Sequence, residues 1–512
     1  MGQIPLSLAQ VLLVPLAFVP IAYAAGRKMG KQTGWLVCIP LLYTVLLLGN
    51  TAVNITGGGS VRESYPWAPE AGLSFGLLAD GLSIWIVLTV NILCLLISIY
   101  SMNYMEHSFH EAHAGESHGG EHEAGVPYAN SWAAYYSLYL LYAVGMMGTV
   151  LSTNLIQFYL FYELMLVPSW ALINNYGSGE KERIGMMYFL WTHVGAVILL
   201  AGILSSYWVT GSFEAEALRL VVGSPIAPWI VFAILIGFFT KMAVFGLHIW
   251  LPYAHAEAPT PISALLSPAM IGIGAYAAAR LVIIPMNEVF MQFSLFFMVW
   301  ALITMTYGGL MALAQDDVKR FLAYSSVSQM GYIFLGLSSA TTFGVTGAMF
   351  HYVSHALGKG ILFSVAGILI TQAHSRSIKE LGGLADRMPL TTIVCLLGFF
   401  AIGGVPPTIG FMSKWVIFSG VFTGALEVGS VVKLAVAVAA IIMTVITVGY
   451  SLWTVRRIFF GELPEHLEHV EEAPLTMTVP LLIFAVLSVI LGIYPKLVTD
   501  FLFPLIGGLL PL

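Results

Sequence analysis

Residues 228–262 read PWIVFAILIGFFTKMAVFGLHIWLPYAHAEAPTPI. The run is long and apolar enough to enter a bilayer, yet it carries one cation, Lys241, near its middle, then His248 and His255, with prolines at 252, 259 and 261. A charge at that depth costs roughly 2.5–3.5 kcal/mol on insertion scales, so it faces protein or a water-filled cavity and has a partner. Proline removes backbone donors, and a helix broken at membrane depth is tolerated only where it is buried in protein or lines such a cavity. An anchor needs neither feature; an ion path uses both.

The rest of the chain has the same character. Of 512 residues, 58% are hydrophobic and 9% charged, against about 25% charged in a soluble domain. The composition predicts an all-α polytopic membrane protein. A net charge of −6 without a basic patch leaves no electrostatic footprint for a nucleic-acid partner. Cys38, Cys94 and Cys395 stand alone in apolar runs and read as small core residues, not as a disulfide frame or an iron–sulfur site. The first apolar run, Ile4 to Ala25, has its basic cluster (Arg27, Lys28, Lys31) after it. That is the reverse of a signal peptide, so a retained first span is expected.

Fourteen segments are long enough to cross about 30 Å of hydrocarbon: 4–25, 34–53, 81–105, 132–151, 154–175, 184–209, 228–262 (broken), 264–284, 292–314, 319–338, 343–372, 390–424 (broken), 431–458 and 476–506. Of the twenty Lys and Arg, twelve fall after odd-numbered spans, Lys319 and Arg320 among them; five fall on the other side, and Lys241, Lys359 and Lys414 lie within spans. By the positive-inside rule odd loops are cytoplasmic and both termini lie on the outer side of the cell membrane.

LIQFYLFYELMLVPSWALI from Leu155 can be laid on VKRFLAYSSVSQMGYIFLG from Val318, and the broken seventh span on the broken twelfth. Spans 4–8 and 9–13 then form two five-helix repeats. Because five is odd the second is inverted, and a discontinuous helix in each repeat points to an ion site. The chain divides into an N-terminal three-helix segment with a histidine-rich loop (1–131), a first repeat (132–284), an inverted second repeat (292–458) and an acidic loop with the last helix (459–512). The loop MEHSFHEAHAGESHGGEHEAG holds His107, His110, His113, His118 and His122. Its irregular, glycine-interrupted spacing reads as a solvated linker with adventitious metal affinity. GELPEHLEHVEEAP from Gly461 reads as a second solvated loop.

Glu163, in FYELMLVPSW, lies well inside span 5. Burial disfavours the charged form of a lone carboxylate or a lone lysine, whereas Glu163 and Lys241 together can hold each other charged. Facing each other, they would form a proton-binding switch; the bland alternative is a static brace, and buried pairs are weak evidence for stability. Lys414, in VPPTIGFMSKWVIF, takes in the second broken helix the place Lys241 takes in the first, with Pro406, Pro407 and Gly410 expected to make the break. His355 and Lys359, four residues apart in HYVSHALGKGILF, share a helix face that His351 extends. Histidine titrates nearest neutrality, so His248, His355 and Lys359, with His193 as a further candidate, make a polar relay between the two lysines. Any one histidine is as readily a bonded core residue. Haem ligation, the sharper rival, needs facing histidine pairs and propionate-binding arginines, a pattern not found here.

FYELMLVPSW, TKMAVFGLHIWLPYAHAEAPTPISALLS, DDVKRFLAYSSVSQMGYIFLGL and HALGKGILF, in that order, resemble the antiporter-like subunits of respiratory complex I (NADH:quinone oxidoreductase), most closely the subunit 4 or M-type branch, over residues 80–460. That family extends to archaeal deazaflavin (F420H2) dehydrogenases, photosynthetic NDH complexes, membrane-bound hydrogenases and Mrp-type sodium/proton antiporters. The resemblance implies two half-channels joined by a polar axis at the membrane midplane, with electron transfer elsewhere, to a quinone-type acceptor, driving proton translocation. It assigns Glu163 as the span-5 glutamate, Lys241 as the span-7 lysine, His248 as the histidine after it, His355 as the span-11 histidine and Lys414 as the exit residue. It implies other antiporter-like and membrane-arm subunits, a peripheral redox arm and lipids as partners, with iron–sulfur clusters and flavin in those partners. No phosphate loop, GxGxxG fingerprint or cysteine cluster suggests a redox cofactor in this chain. Two features depart from the M-type pattern. Gly272 stands where many such subunits carry a span-8 lysine, and Lys414 stands where many have glutamate; Lys359 too is more typical of other branches. The alternative function is that of a component of a Mrp-type antiporter or of a membrane-bound hydrogenase, and a haem-binding electron carrier is the alternative from another class.

Overall fold

The structure, a computed structural model, describes residues 7–116 and 128–511. Backbone amides in a bilayer must find partners within the chain, and the apolar runs satisfy them as helices: α1 (Gln10–Met29), α2 (Thr33–Asn54), α3 (Ser83–Glu116), α4 (Tyr128–Leu151), α5 (Leu155–Leu164), α6 (Leu166–Tyr176), α7 (Lys181–Thr210), α8 (Ala227–Lys241), α9 (Trp250–Glu257), α10 (Thr260–Leu265), α11 (Ile271–Ala278), α12 (Asn287–Met291), α13 (Ser294–Leu313), α14 (Val318–Ser339), α15 (Thr342–Ala373), α16 (Pro389–Gly403), α17 (Ile409–Glu427), α18 (Val431–Phe459), α19 (Leu475–Ile493) and α20 (Lys496–Gly507). Eleven stretches of the described residues are long and apolar enough to cross a membrane, Gln10–Asn54 counting as one. The shorter apolar helices α8 and α16 are the first halves of the two broken segments. The outer faces of α7 and α18 expose Leu190, Val194 and Val197, and Val438, Ile442 and Val445, a surface suited to lipid or to other spanning helices. The chain is a multi-pass helical membrane protein.

At the centre lie α14 and α15, both buried along almost their whole length. A span sheathed on all sides by protein can carry polar groups, which is why the run YSSVSQ of α14 is compatible with membrane depth. Asn154 caps α5 by accepting from the amides of Ile156 and Gln157, and Asp317 caps α14 by accepting from Arg320.

Three features differ from the sequence expectation. Val61–Ala68 and Leu73–Ala79 pair as an antiparallel hairpin, which an all-α reading passed over because it lies between two spans. The first break is not where the prolines are. It spans 242–249, where Ala243 (φ 55°) and Gly246 (φ 89°) adopt left-handed backbone. Pro252 and Pro261 instead sit in the first turns of α9 and α10, positions where a missing amide hydrogen costs nothing. The second break, 404–408, turns at Gly404 (φ 82°) and holds Pro406 and Pro407. Gly410 lies in α17, where a Cβ would collide with the Ala401 backbone. The last apolar run, read as one span to residue 506, divides at Pro495 into α19 and α20. His118 and His122 of the histidine-rich loop lie outside the described residues.

Candidate functional site

Each broken helix leaves carbonyls without the amides that would have followed them, and buried groups converge on these ends. Lys241 is the last residue of α8, where a cation complements the negative end of the helix dipole. Trp250 Nε1 reaches back across the break to donate to Thr240 O at 2.9 Å. At the second break Lys414, from α17, donates to Ile402 O at 2.8 Å and Gly403 O at 3.3 Å, the last carbonyls of α16. Its Nζ stands 4.0 Å from the centroid of the Tyr332 ring, a cation–π seat in place of water.

Lys241 is 1% exposed, and among the described residues nothing hydrogen-bonds its Nζ. It lies 4.7 Å from the Tyr162 ring centroid. Glu163, the next residue after Tyr162, does not close an ion pair with Lys241. Its Oε2 meets His193 Nδ1 on α7 at 3.0 Å, and its buried Oε1 has no hydrogen-bond partner among the described residues. Glu163 and Lys241 remain within electrostatic reach of one another, so each has one free contact that a movement of the other could fill. His193, one of several histidines offered for the relay by the sequence, is thus Glu163's direct partner. Its side chain is 41% exposed on the outer face of α7.

The second half is more fully bonded. Lys359 donates to Leu322 O at 2.8 Å and to Ser325 Oγ, both on α14. One turn along, Gln329 Oε1 meets His351 Nε2 at 3.1 Å, and His351 Nδ1 meets Ser413 Oγ at 2.9 Å, beside Lys414. A polar thread therefore runs from Lys359 through α14 to the second break. His355 is fully buried and neither ring nitrogen has a hydrogen-bond partner among the described residues. His248 falls inside the first break, with Nδ1 accepting from Gly246 N at 3.2 Å and its ring between Phe245 and Tyr307.

Several participants escaped the sequence reading. Lys319, counted by its position after span 9 among the loop cations, is 2% exposed and donates to Ala256 O at 3.2 Å and Ala258 O at 2.5 Å, at the end of α9. Beside it His255, fully buried and with both ring nitrogens unbonded, stacks on Phe363 at 4.7 Å. Gln329 and Ser325 had a visible signal, a polar run inside an apolar span. Asp80 had none. It receives Arg280 through two bonds, Nη1 at 2.7 Å and Nη2 at 2.5 Å, beside a cavity of about 340 Å³.

Residues 152–447 match the family described as NADH:quinone oxidoreductase/Mrp antiporter, TM, and residues 67–112 the N-terminus of complex I chain 5. The F(420)H(2) dehydrogenase subunit M of Methanosarcina mazei is 30% identical, with 96% of this chain and 95% of that protein aligned. A Na(+)/H(+) antiporter subunit of Alkalihalophilus pseudofirmus is 33% identical over 94% of this chain, which spans only 60% of that protein's length. A chain of respiratory complex I from Thermus thermophilus superposes with a TM-score of 0.83 at 23% identity, covering 98% of this chain and 99% of that one. With its broken helices and their buried lysines, and with more than half its length matched, the chain belongs to the NADH:quinone oxidoreductase/Mrp antiporter family of membrane subunits.

Proposed function

We propose that the chain is a proton-translocating membrane-arm subunit of a complex I-like oxidoreductase, coupled to electron transfer from a donor such as NADH or F420H2 to a quinone-type acceptor in its partner subunits. Glu163, Lys241, His248, His355, Lys359 and Lys414 are its relay, in two inverted repeats. The chain lies in the cytoplasmic membrane with both termini outside. Other antiporter-like subunits and a peripheral arm carrying iron–sulfur clusters and flavin complete the complex.

The observation that carries this reading is the pair of broken helices, each with a buried lysine at the break, with the buried contacts Lys359–Ser325 and His351–Gln329 one turn apart on α14 and α15. Moving one charge against 100 mV costs about 2.3 kcal/mol, a load that a remote redox step can share among several such subunits. Glu163 and Lys241 supply the switch. When the carboxylate approaches, Lys241 holds its proton; when Glu163 returns to His193, the desolvated ammonium releases it.

The test is proton uptake by inverted membrane vesicles during donor oxidation, comparing wild type with Lys241→Met. The variant should assemble and fail to take up protons; wild-type uptake by the variant would end the assignment. The 33% identity to a Na(+)/H(+) antiporter component favours as second reading a Mrp-type sodium/proton antiporter. Copurification of the chain with iron–sulfur and flavin subunits decides against it, and sodium-dependent proton exchange without those subunits decides for it.

A further inference from the structure

The cavity of about 340 Å³ beside Asp80 lies apart from both helix breaks. Its lining comes from the connection after α2, the run into α3, the turn after α4, the short helix Ala215–Val221, the segment after α11, and α20. These are the ends of apolar helices, so the cavity sits where hydrocarbon gives way to headgroups and water. Three arginines and two carboxylates line it: Arg62, Arg219, Arg280, Asp80 and Glu216.

Both carboxylates are already satisfied. Asp80, 4% exposed, holds Arg280 through both of its oxygens and also accepts from the amides of Leu82 and Ser83 at 3.0 Å. Glu216 Oε1 holds Arg62 Nη1 at 2.6 Å. Arg219 has no hydrogen-bond or ion-pair partner among the described residues, and it is the surplus charge of the cavity. The balance favours an anion. Donors for it remain as well. A guanidinium carries five N–H groups. Arg280 spends two on Asp80 and one, from Nε, on the Tyr276 hydroxyl at 3.3 Å, which leaves one on each Nη. Tyr276 in turn donates to Val150 O at 2.8 Å, so the guanidinium is fixed from two sides. Thr153, 7% exposed, lines the same cavity, and its hydroxyl has no hydrogen-bond partner among the described residues.

We propose that this cavity is a binding site for a phosphate-bearing anion, whose oxygens take hydrogens from Arg280, Arg219 and Thr153. Guanidinium groups match the spacing of phosphate oxygens, and hydrogen bonds between two charged partners are the strong ones. Arg280 is held in place by Asp80 and Tyr276 before any ligand arrives, so little side-chain freedom is lost on binding. Ile284, Leu505 and Leu509 add apolar lining, which suits the glycerol and first methylenes of a phospholipid. A phospholipid headgroup and free inorganic phosphate share the recognised group, and a site at the membrane boundary is open to both. The inference stands apart from the translocation reading above, and its test needs no electron donor.

The experiment is equilibrium binding to the purified intact complex in non-ionic detergent, followed by titration calorimetry, with two probes: inorganic phosphate, and dihexanoyl phosphatidylglycerol below its micellar concentration. Wild type should bind at least one of them saturably. Arg219→Gln alters an exposed side chain that has no partner, so the melting temperature without ligand should match wild type. Its Kd should rise about tenfold to a hundredfold, the loss of one charge-assisted hydrogen bond. Arg219→Glu should abolish saturable binding, and Thr153→Val should weaken it less than Arg219→Gln does. Tighter binding of the lipid than of phosphate identifies a headgroup as the occupant, and the reverse order identifies free phosphate; either supports the site. Absence of saturable binding by both probes, or a Kd that Arg219→Glu leaves unmoved, overturns the proposal.

Discussion

Glu163 Oε2 lies 3.0 Å from His193 Nδ1, while Lys241, within electrostatic reach, stands over the ring of Tyr162. The carboxylate is therefore held by a hydrogen-bonding ring on another helix, and the lysine is held by a ring that cannot take its proton. Glu163→Gln keeps a hydrogen-bonding side chain at the site and removes the charge. Proton uptake should fall by about 10²-fold or more, the usual span of a lost acid–base group, with assembly unchanged. His193→Gln, which can still donate to the carboxylate, should retain partial uptake in the same vesicle assay; uptake as low as that of Glu163→Gln would make the imidazole itself indispensable.

Lys414 bonds the last carbonyls of α16 from the next helix. Lys414→Met should abolish uptake and also loosen the break, because the orphaned carbonyls lose their donor at about 1–3 kcal/mol. Lys414→Arg, which keeps charge and donors but exchanges protons poorly, should restore the melting temperature without restoring uptake. Recovery of both together would make the lysine a structural clamp.

Lys319 donates to two carbonyls at the end of α9. Lys319→Met should lower the melting temperature of the purified complex by the loss of roughly 1–3 kcal/mol. A solvated loop lysine would leave the melting temperature unmoved.

The Asp80–Arg280 pair gives a pH test. Burial pushes the Asp80 carboxyl up, and Arg280's charge and hydrogen bonds more than offset this, so it sits below the usual carboxylate range. Its contribution is therefore complete above the unfolded value of about 3.9 and is lost as pH falls through the lower folded value. Asp80→Asn, which leaves the guanidinium unpaired, should cost roughly 3–5 kcal/mol at neutral pH. The difference in melting temperature from wild type should hold constant from neutral pH down to about pH 5 and close only below about pH 4. A difference that fades between pH 7 and 6 would mean a histidine, not this carboxylate, sets it.

The polytopic fold was legible because apolar runs of spanning length have one solution in a bilayer. Lys241 and Lys414 were legible because a lysine far from any span end has nowhere to snorkel. Both breaks were seen and the first was misplaced, since proline marks a helix start as readily as a helix end, and the turn at 242–249 is made by Ala243 and Gly246. Lys319 stands at the very start of a span, where the sequence does not say whether it is solvated, and only the packing of α9 against α14 buries it. The hairpin at 61–79 was missed because it lies between two spans, outside the segments that hydropathy marks.

The sequence by itself determined which segments enter the membrane, that two of them are interrupted, and that titratable groups lie at their depth, because length, hydropathy and charge act locally along the chain. Only the tertiary structure decided who meets whom: that Glu163 rests on His193, that Lys359 bonds Ser325 while His351 bonds Gln329 and Ser413, and that the Tyr352 ring covers Gly272. Those pairings depend on the rotation and depth of each helix against its neighbours. These are set by packing across the whole bundle, which no single span encodes.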